Sequence, residues 1–548
     1  MHGGTSVAIN HPPLPPPSKG RRRLAVAALV AGLIGQLLAG TAVAAPESGA
    51  TAPQKAPQPG RIAWKPCESD SGQGTFGCAT IKVPVSWKQP HGTTIDLALA
   101  RHRATDPKRR IGSLLVNPGG PGVPGVDFTL NAPQYFSPEV LARFDIVGFD
   151  PRGVSRSNPV TCDGDLVDAR SRLLHPDSAT SFVALRKANQ ALGENCRAAN
   201  GPLADNMDTE SVARDMDAIR AGLGEKRISY YGISYGTGIG QQYAELHPHR
   251  VRAMVLDSNI DHSLDNWAYQ KTSAVAMEES YGQFADWCAR TPSCALHGVD
   301  ARAVFGSLYK RAAAGEIVRP GELPGDPPET LTPQDVQDLV LHKVAGPGYW
   351  FELAQDLADL DSTDPAPARS LRARGEQGPF VVDLVTCQDY EFDVSSYRTL
   401  ARYERELARI APVTRSSSMA WAELTGCQNW PTEVTNPPHR LDVDGTPKIL
   451  LTNSRYDPAT PYSWASNAAR QIGREAVLLT YDGAGHGTYW QSPCMRKATD
   501  TYLLTLKTPR KGARCPAIWP TAPSPQRQSP SGNLLNPLPD LLGTGAHR

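Results

Sequence analysis

The chain has 548 residues, 56 Lys and Arg against 55 Asp and Glu, and ten cysteines. A formal net charge of +1 excludes the strongly basic face that nucleic acid demands, and it gives no electrostatic case for an anionic membrane surface. At 40% hydrophobic and 20% charged residues the chain is not disordered throughout, while its 49 prolines and 48 glycines put part of the length outside a packed core. Length alone allows roughly three to four domains.

Residues 1–44 read as an export signal. Arg21, Arg22 and Arg23 form a positive start, and 24–38 is apolar apart from Gln36, too short for a stop-transfer helix. Ala42-Val43-Ala44 is a small-residue cleavage site, with cleavage expected after Ala44. Arg22-Arg23 leaves the twin-arginine route open. Thr41 stands where a lipoprotein signal needs Cys, so no stable membrane anchor is expected. Residues 45–60 form a Pro/Ala/Gln linker or short pro-segment.

A first core segment is expected at 61–260. The runs 79–87 and 95–102 alternate apolar and polar residues, as an antiparallel opening pair does. The runs 113–117, 145–149, 227–233 and 251–256 are short and apolar, the pattern of buried parallel strands, with helical periodicity at 209–223. The alternation stops at 261–441, where 267–288, 301–314, 333–344 and 395–410 are helical in pattern, so this stretch reads as a cap inserted between two strands. Strand-like runs at 448–452 and 476–481 complete the core at 442–520, and 521–548 reads as a disordered tail. The whole is an α/β chain with a doubly wound sheet.

All ten cysteines follow the signal, and an even count in an exported chain favours disulfides. Neighbour pairing, 67 with 78, 162 with 196, 288 with 294, 387 with 427 and 494 with 515, closes five local loops. No Cys-x-x-Cys or His-Glu-x-x-His occurs, and His247-Pro248-His249 reads as a helix stop, so no metal site is expected.

The sharpest motif is Gly232-Ile233-Ser234-Tyr235-Gly236, a Gly-x-Ser-x-Gly between a strand and a helix. Such a turn lifts a serine hydroxyl above the sheet at the positive end of the next helix. The hydroxyl needs a base, and the base an orienting acid, in the chain order Ser, acid, His. Asp457 lies just past one strand and His486, between Gly485 and Gly487, just past the next. Asp257 is the rival acid and Asp482 a weaker one; for Asp457 the plain alternative is an Asx turn before Pro458. The loop Asn117-Pro118-Gly119-Gly120-Pro121-Gly122 offers an oxyanion donor, Gly120 N–H beside Tyr235 N–H. It lacks the Gly-Lys-Ser/Thr of a phosphate loop.

Together with Asp150-Pro151-Arg152-Gly153 and Ser157, these motifs resemble the secreted bacterial tripeptidyl aminopeptidases, relatives of the proline iminopeptidases within the α/β-hydrolases, over about 62–515. One departure is Pro118, where His commonly precedes Gly-Gly-Pro-Gly; it bears on the oxyanion loop, not on the triad. The resemblance implies an α/β-hydrolase fold, a mostly parallel eight-stranded sheet with a helical cap. It implies catalysis by Ser234, His486 and Asp457 without metal or organic cofactor, a structural role for Asp150 and Arg152, and peptide or protein N-termini as substrates. A free N-terminus calls for a carboxylate near the nucleophile, with Glu278, Glu279, Asp389 and Glu391 as candidates. Residue physics alone leaves an esterase open, and, from another class, a non-catalytic hydrolase-like surface binding protein. The usual dehalogenase and epoxide hydrolase chemistry needs Asp at the elbow, where Ser234 stands. Oligomeric state is not legible.

Overall fold

Alternating burial along β2 (Phe76–Pro84) and β3 (Thr94–His102) builds an antiparallel ladder running from Phe76↔His102 to Pro84↔Thr94. In this computed structural model, residues 60–67, 75–319, 328–362 and 380–521 are described. The expected signal, and all but one end residue each of the expected linker and tail, lie outside them. β1 (Lys65–Pro66) pairs with β2 at one sheet edge. β4 (Gly112–Asn117), β5 (Phe144–Phe149) and β6 (Ile228–Ile233) are buried at every position, and β7 (Val251–Asp257) at all but one, as parallel strands covered on both faces must be. β8 (Val318–Arg319) and β9 (Glu329–Thr330) form a separate two-stranded antiparallel pair. β10 (Ile449–Tyr456), β11 (Ala476–Ala484) and β12 (Arg514–Cys515) return to the main sheet.

The sheet order is β1-β2-β3-β5-β4-β6-β7-β10-β11-β12, parallel from β5 to β12. Its eight longer strands, β2 to β11 in that order, are the expected mostly parallel sheet. The two-residue edge strands β1 and β12 make it ten, too short to leave a periodic signal in sequence. The period of two divides the strand residues between two layers. Leu114, Val116, Tyr231 and Ile233 face the helices Gly125–Leu130, Pro138–Arg143 and Pro493–Thr505. Leu115 and Tyr230 face Thr209–Leu223, Tyr235–Leu246 and Tyr462–Ile472.

Between β7 and β10 the described residues are mostly helical. Asn266–Arg290, Ala301–Ala313, Pro333–Val344 and Tyr397–Ile410 match the expected helices closely. Trp350–Asp361, Phe380–Asp389 and Ser418–Gly426 are further helices there. The connection between β5 and β6 adds Gly164–Ser171 and Ala179–Asn200 and braces these helices. Arg170 pairs with Asp383 at 2.7 Å, and Asn189 Nδ2 donates to the Thr425 and Gln428 carbonyls at 2.8 Å each. The five neighbour disulfides are all formed, and no cysteine is free. No described helix is long and apolar enough to cross a membrane.

Candidate active site

The strand β4 and its neighbour β6 end side by side, with Asn117 paired to Gly232, so the loops after them meet above the sheet. Ser234 sits at φ 56°, ψ −127°, between the last residue of β6 and the helix Tyr235–Leu246. A non-glycine residue in that region costs about 1–3 kcal/mol, held here by the surroundings. Ser234 N–H donates to the Asp257 carbonyl at 2.9 Å, and Thr237 N–H and Oγ1 donate to the Ser234 carbonyl at 2.8 and 2.6 Å. Gly236 is required by contact, since a Cβ there would lie 2.8 Å from the Asn117 carbonyl oxygen. Gly119, at φ 98°, passes so close that a Cβ would meet Ser234 Cβ at 2.9 Å and Tyr235 N at 3.2 Å. Gly120 and Tyr235 thus face one cleft with Ser234.

Asp457 and His486 meet at the ends of β10 and β11. His486 Nδ1 lies 3.0 Å from both carboxylate oxygens of Asp457, and both side chains are buried. Asp457 Oδ1 also accepts from Ala459 N and Thr460 N at 3.0 and 2.9 Å, and Oδ2 from Thr460 Oγ1 at 2.9 Å. The Asx-type turn and the contact to histidine are therefore one structure: the turn fixes the carboxylate that faces the ring. Thr460 Oγ1 is itself 3.2 Å from His486 Nδ1. With Nδ1–H directed at Asp457, neutral His486 presents a lone pair at Nε2, which is buried without a hydrogen-bond partner. Burial opposes charge on this imidazole, but Asp457 outweighs it and raises the pKa above its ordinary value. His486 N–H donates to the Ala345 carbonyl at 2.7 Å, so the segment after Pro333–Val344 holds the histidine backbone.

The rival acids do other work. Asp257 Oδ1 accepts from Thr488 N and Oγ1 at 2.8 and 2.7 Å, and Oδ2 from Tyr489 N at 3.1 Å and Tyr231 OH at 2.8 Å. Gly487 N donates to Ser258 Oγ at 2.8 Å. The end of β7 thus ties the histidine loop to the elbow, since the Asp257 carbonyl also holds Ser234 N. Asp482 is bound to Arg514 at the sheet edge. Arg152 is fully buried, paired to Asp215 through Nε at 2.8 Å and Nη2 at 2.7 Å, and donates to the Val85 and Asn206 carbonyls. Asp150 accepts from Val126 N and Arg156 N at 3.0 and 3.2 Å.

The cleft holds about 660 Å³ free of protein atoms, its mouth included. Of the four acids expected near it, only Asp389 lines it. Glu278 accepts from Val413 N and Thr414 N, so it clamps a loop; Glu279 and Glu391 are exposed to solvent away from the cleft. These three expectations are corrected: Glu278 and Glu279 lie on the helix Asn266–Arg290, whose buried face is made by other residues, and Glu391 follows the end of the helix Phe380–Asp389 at an exposed position. Asp389 is 3% exposed and saturated with donors: Thr209 N at 3.0 Å, Asn436 Nδ2 at 2.8 Å and Thr209 Oγ1. Burial, with Asp208 adding to it, pushes its carboxyl up to about 7. Sequence reasoning missed Glu423, the second carboxylate on the cleft. It also missed Thr460, although Asp-x-x-Thr is a recognisable turn pattern. Among the described residues no group of three or more His, Cys, Asp or Glu could hold a metal ion.

Residues 411–515 match the family described as TAP-like protein. Serine protease Hip1 of Mycobacterium tuberculosis (strain ATCC 25618 / H37Rv) is 32% identical over 491 residues, 83% of this chain and 91% of that protein. Tripeptidyl aminopeptidase of Streptomyces lividans is 32% identical over 474 residues, 83% of this chain and 86% of that protein. The chain belongs to the tripeptidyl aminopeptidase-like family of α/β-hydrolases. Like other members it is a serine hydrolase, and its sheet carries the fold of that superfamily. Carboxylesterase B of the same mycobacterial strain is also similar, 33% identical over 532 residues, 90% of this chain and 99% of that protein. Among solved structures, esterase E22 aligns over 79% of this chain and 99% of its own at 10% identity and a TM-score of 0.37.

Proposed function

We propose that this member of the tripeptidyl aminopeptidase-like family is an exported exopeptidase that releases short peptides, tripeptides in particular, from free N-termini. Ser234 Oγ attacks the scissile carbonyl while His486 Nε2 takes its proton. Asp457 holds the ring in the needed tautomer and stabilises the imidazolium. The N–H groups of Gly120 and Tyr235 receive the oxyanion. Collapse of the tetrahedral intermediate breaks the C–N bond, His486 returns the proton to the leaving amine, and water then releases the acyl group by the same steps reversed. The observation that carries this reading is His486 itself: its Nδ1 is 3.0 Å from Asp457 and its Nε2 is buried without a partner, on a loop tied to the strained Ser234 elbow. Apo geometry of this kind tightens once substrate fills the site. Five disulfides support export, since such bonds persist in oxidising compartments.

Digestion of a peptide library with free and with acetylated N-termini, read by mass spectrometry against Ser234→Ala protein, tests the proposal. Tripeptides released stepwise from free termini only are expected; cleavage independent of the terminus removes the exopeptidase reading. The second reading, a secreted esterase, is favoured by the similarity to carboxylesterase B. It predicts faster cleavage of simple esters, with no requirement for a free amine.

A further inference from the structure

We propose that Glu423 is the receptor for the α-ammonium group of the substrate, the contact that makes a free N-terminus necessary. This rests on the exopeptidase reading above and names the residue that enforces it. Glu423 lies on the helix Ser418–Gly426 and lines the same cleft as Ser234. The residue is half-buried. Its carboxylate accepts one hydrogen bond among the described residues, from Tyr269 OH at 2.7 Å. Among the described residues no Lys, Arg or His forms an ion pair with it. Arg170, the guanidinium that reaches Gly426 on the same helix, is engaged by Asp383 at 2.7 Å and by Asn189 Oδ1 at 3.1 Å.

The surrounding wall is largely aromatic and apolar, with Tyr269, Tyr390, Trp464, Met419 and Val385. A carboxylate without a counter-ion in such a wall is costly when charged, and an arriving cation removes that cost. Burial, helped by Asp383, accordingly holds its carboxyl near 7 against the Tyr269 donor. Asp389, the other acid on the cleft, has both oxygens occupied by Thr209 and Asn436 and shapes the floor instead. An ammonium fixed at Glu423 sets how far along the peptide the carbonyl at Ser234 lies, and no internal chain segment can supply it.

The test compares kcat/KM for a tripeptidyl anilide with a free amine against its N-acetylated form, in wild type, Glu423→Gln and Glu423→Asp. Fluorophosphonate labelling of Ser234 serves as the check on folding. In wild type the free amine is preferred. In Glu423→Gln that preference falls about 100-fold, through KM, as expected for removing one partner of a desolvated charge pair, and Glu423→Asp recovers part of it. A Glu423→Gln enzyme that labels normally and discriminates as well as wild type overturns the proposal while leaving the exopeptidase reading intact. Loss of discrimination in wild type removes both. If the glutamine variant does not fold, the wild-type protein still decides: a water-soluble carbodiimide should couple a free-amine tripeptide amide to Glu423, located by peptide mapping. Coupling at another carboxylate, or at none, overturns the assignment.

Discussion

The sheet edge and the helical wall facing it both carry acids withdrawn from solvent wholly or in part, but they leave them in opposite states. At the edge, Asp457 has its lone pairs filled by fixed donors from its own loop, and Asp257 by donors from the loop after β11 and from Tyr231. Across the cleft, the Glu423 carboxylate has a single donor and no cation among the described residues. A filled carboxylate cannot reorient, which suits a group that must hold a histidine ring still. An unfilled one is incomplete until a ligand arrives, which suits recognition. Asp389 shows that the difference is set by partners rather than by position, since it lies on the same cleft as Glu423 yet is saturated.

The largest expected effect comes from the proposed nucleophile. Ser234→Ala should abolish fluorophosphonate labelling and lower kcat by roughly 10⁵ or more, measured on the best free-amine anilide. Next, Asp457→Asn should cost about 10³–10⁴ in kcat with little change in KM, because the ring loses its tautomer control while the cleft is unaltered. An equal rise in KM would mean that Asp457 also shapes substrate binding. Asp257→Ala should behave differently from Asp457→Asn. It strips Thr488 and Tyr489 N–H groups and Tyr231 OH of their acceptor, so a loss of about 2–4 kcal/mol in unfolding free energy is expected by denaturant titration. Its kcat should fall less than that of Asp457→Asn; a larger fall would restore Asp257 as the catalytic acid.

The smallest effect is in pH. In the proposed mechanism His486 acts as a base only when neutral, and Asp457 raises its pKa above the ordinary histidine value, so kcat/KM for every substrate should fall as pH drops through that raised pKa. Glu423 is raised to about 7 and is neutral below it, so free-amine substrates should show an added rise in KM on acidification that acetylated ones lack. Tyr269 and Asp383 are the groups facing that carboxyl. Removing the donor in Tyr269→Phe favours the protonated form and should move this limb to higher pH. An unmoved limb would assign it to another group.

What could be read from sequence follows how local the cause is. The elbow, the Gly119-Gly120 loop and the order Ser234, Asp457, His486 are visible because each rests on glycines and strand ends within a few residues. The strands β4 to β7 were visible because burial on both faces leaves an unbroken apolar run. The helix Ala179–Asn200 was not, because its buried residues, such as Phe182, Asn189 and Cys196, mix polar and apolar types. Glu423 escaped because nothing beside it in sequence marks it. It acquires meaning only when Ser418–Gly426 is folded against Tyr269, which is more than a hundred residues earlier. Glu278 shows the converse: its acidic pair with Glu279 stood out in sequence, yet the fold uses it to hold the Val413–Thr414 backbone.

The most direct measurement is the mass of the acyl-enzyme. Acid quenching during turnover of a long peptide with a free N-terminus, followed by peptide mapping, should find the N-terminal tripeptide esterified to Ser234. An adduct carrying a longer or internal acyl segment, an adduct on another residue, or equal trapping from the acetylated peptide would contradict the account.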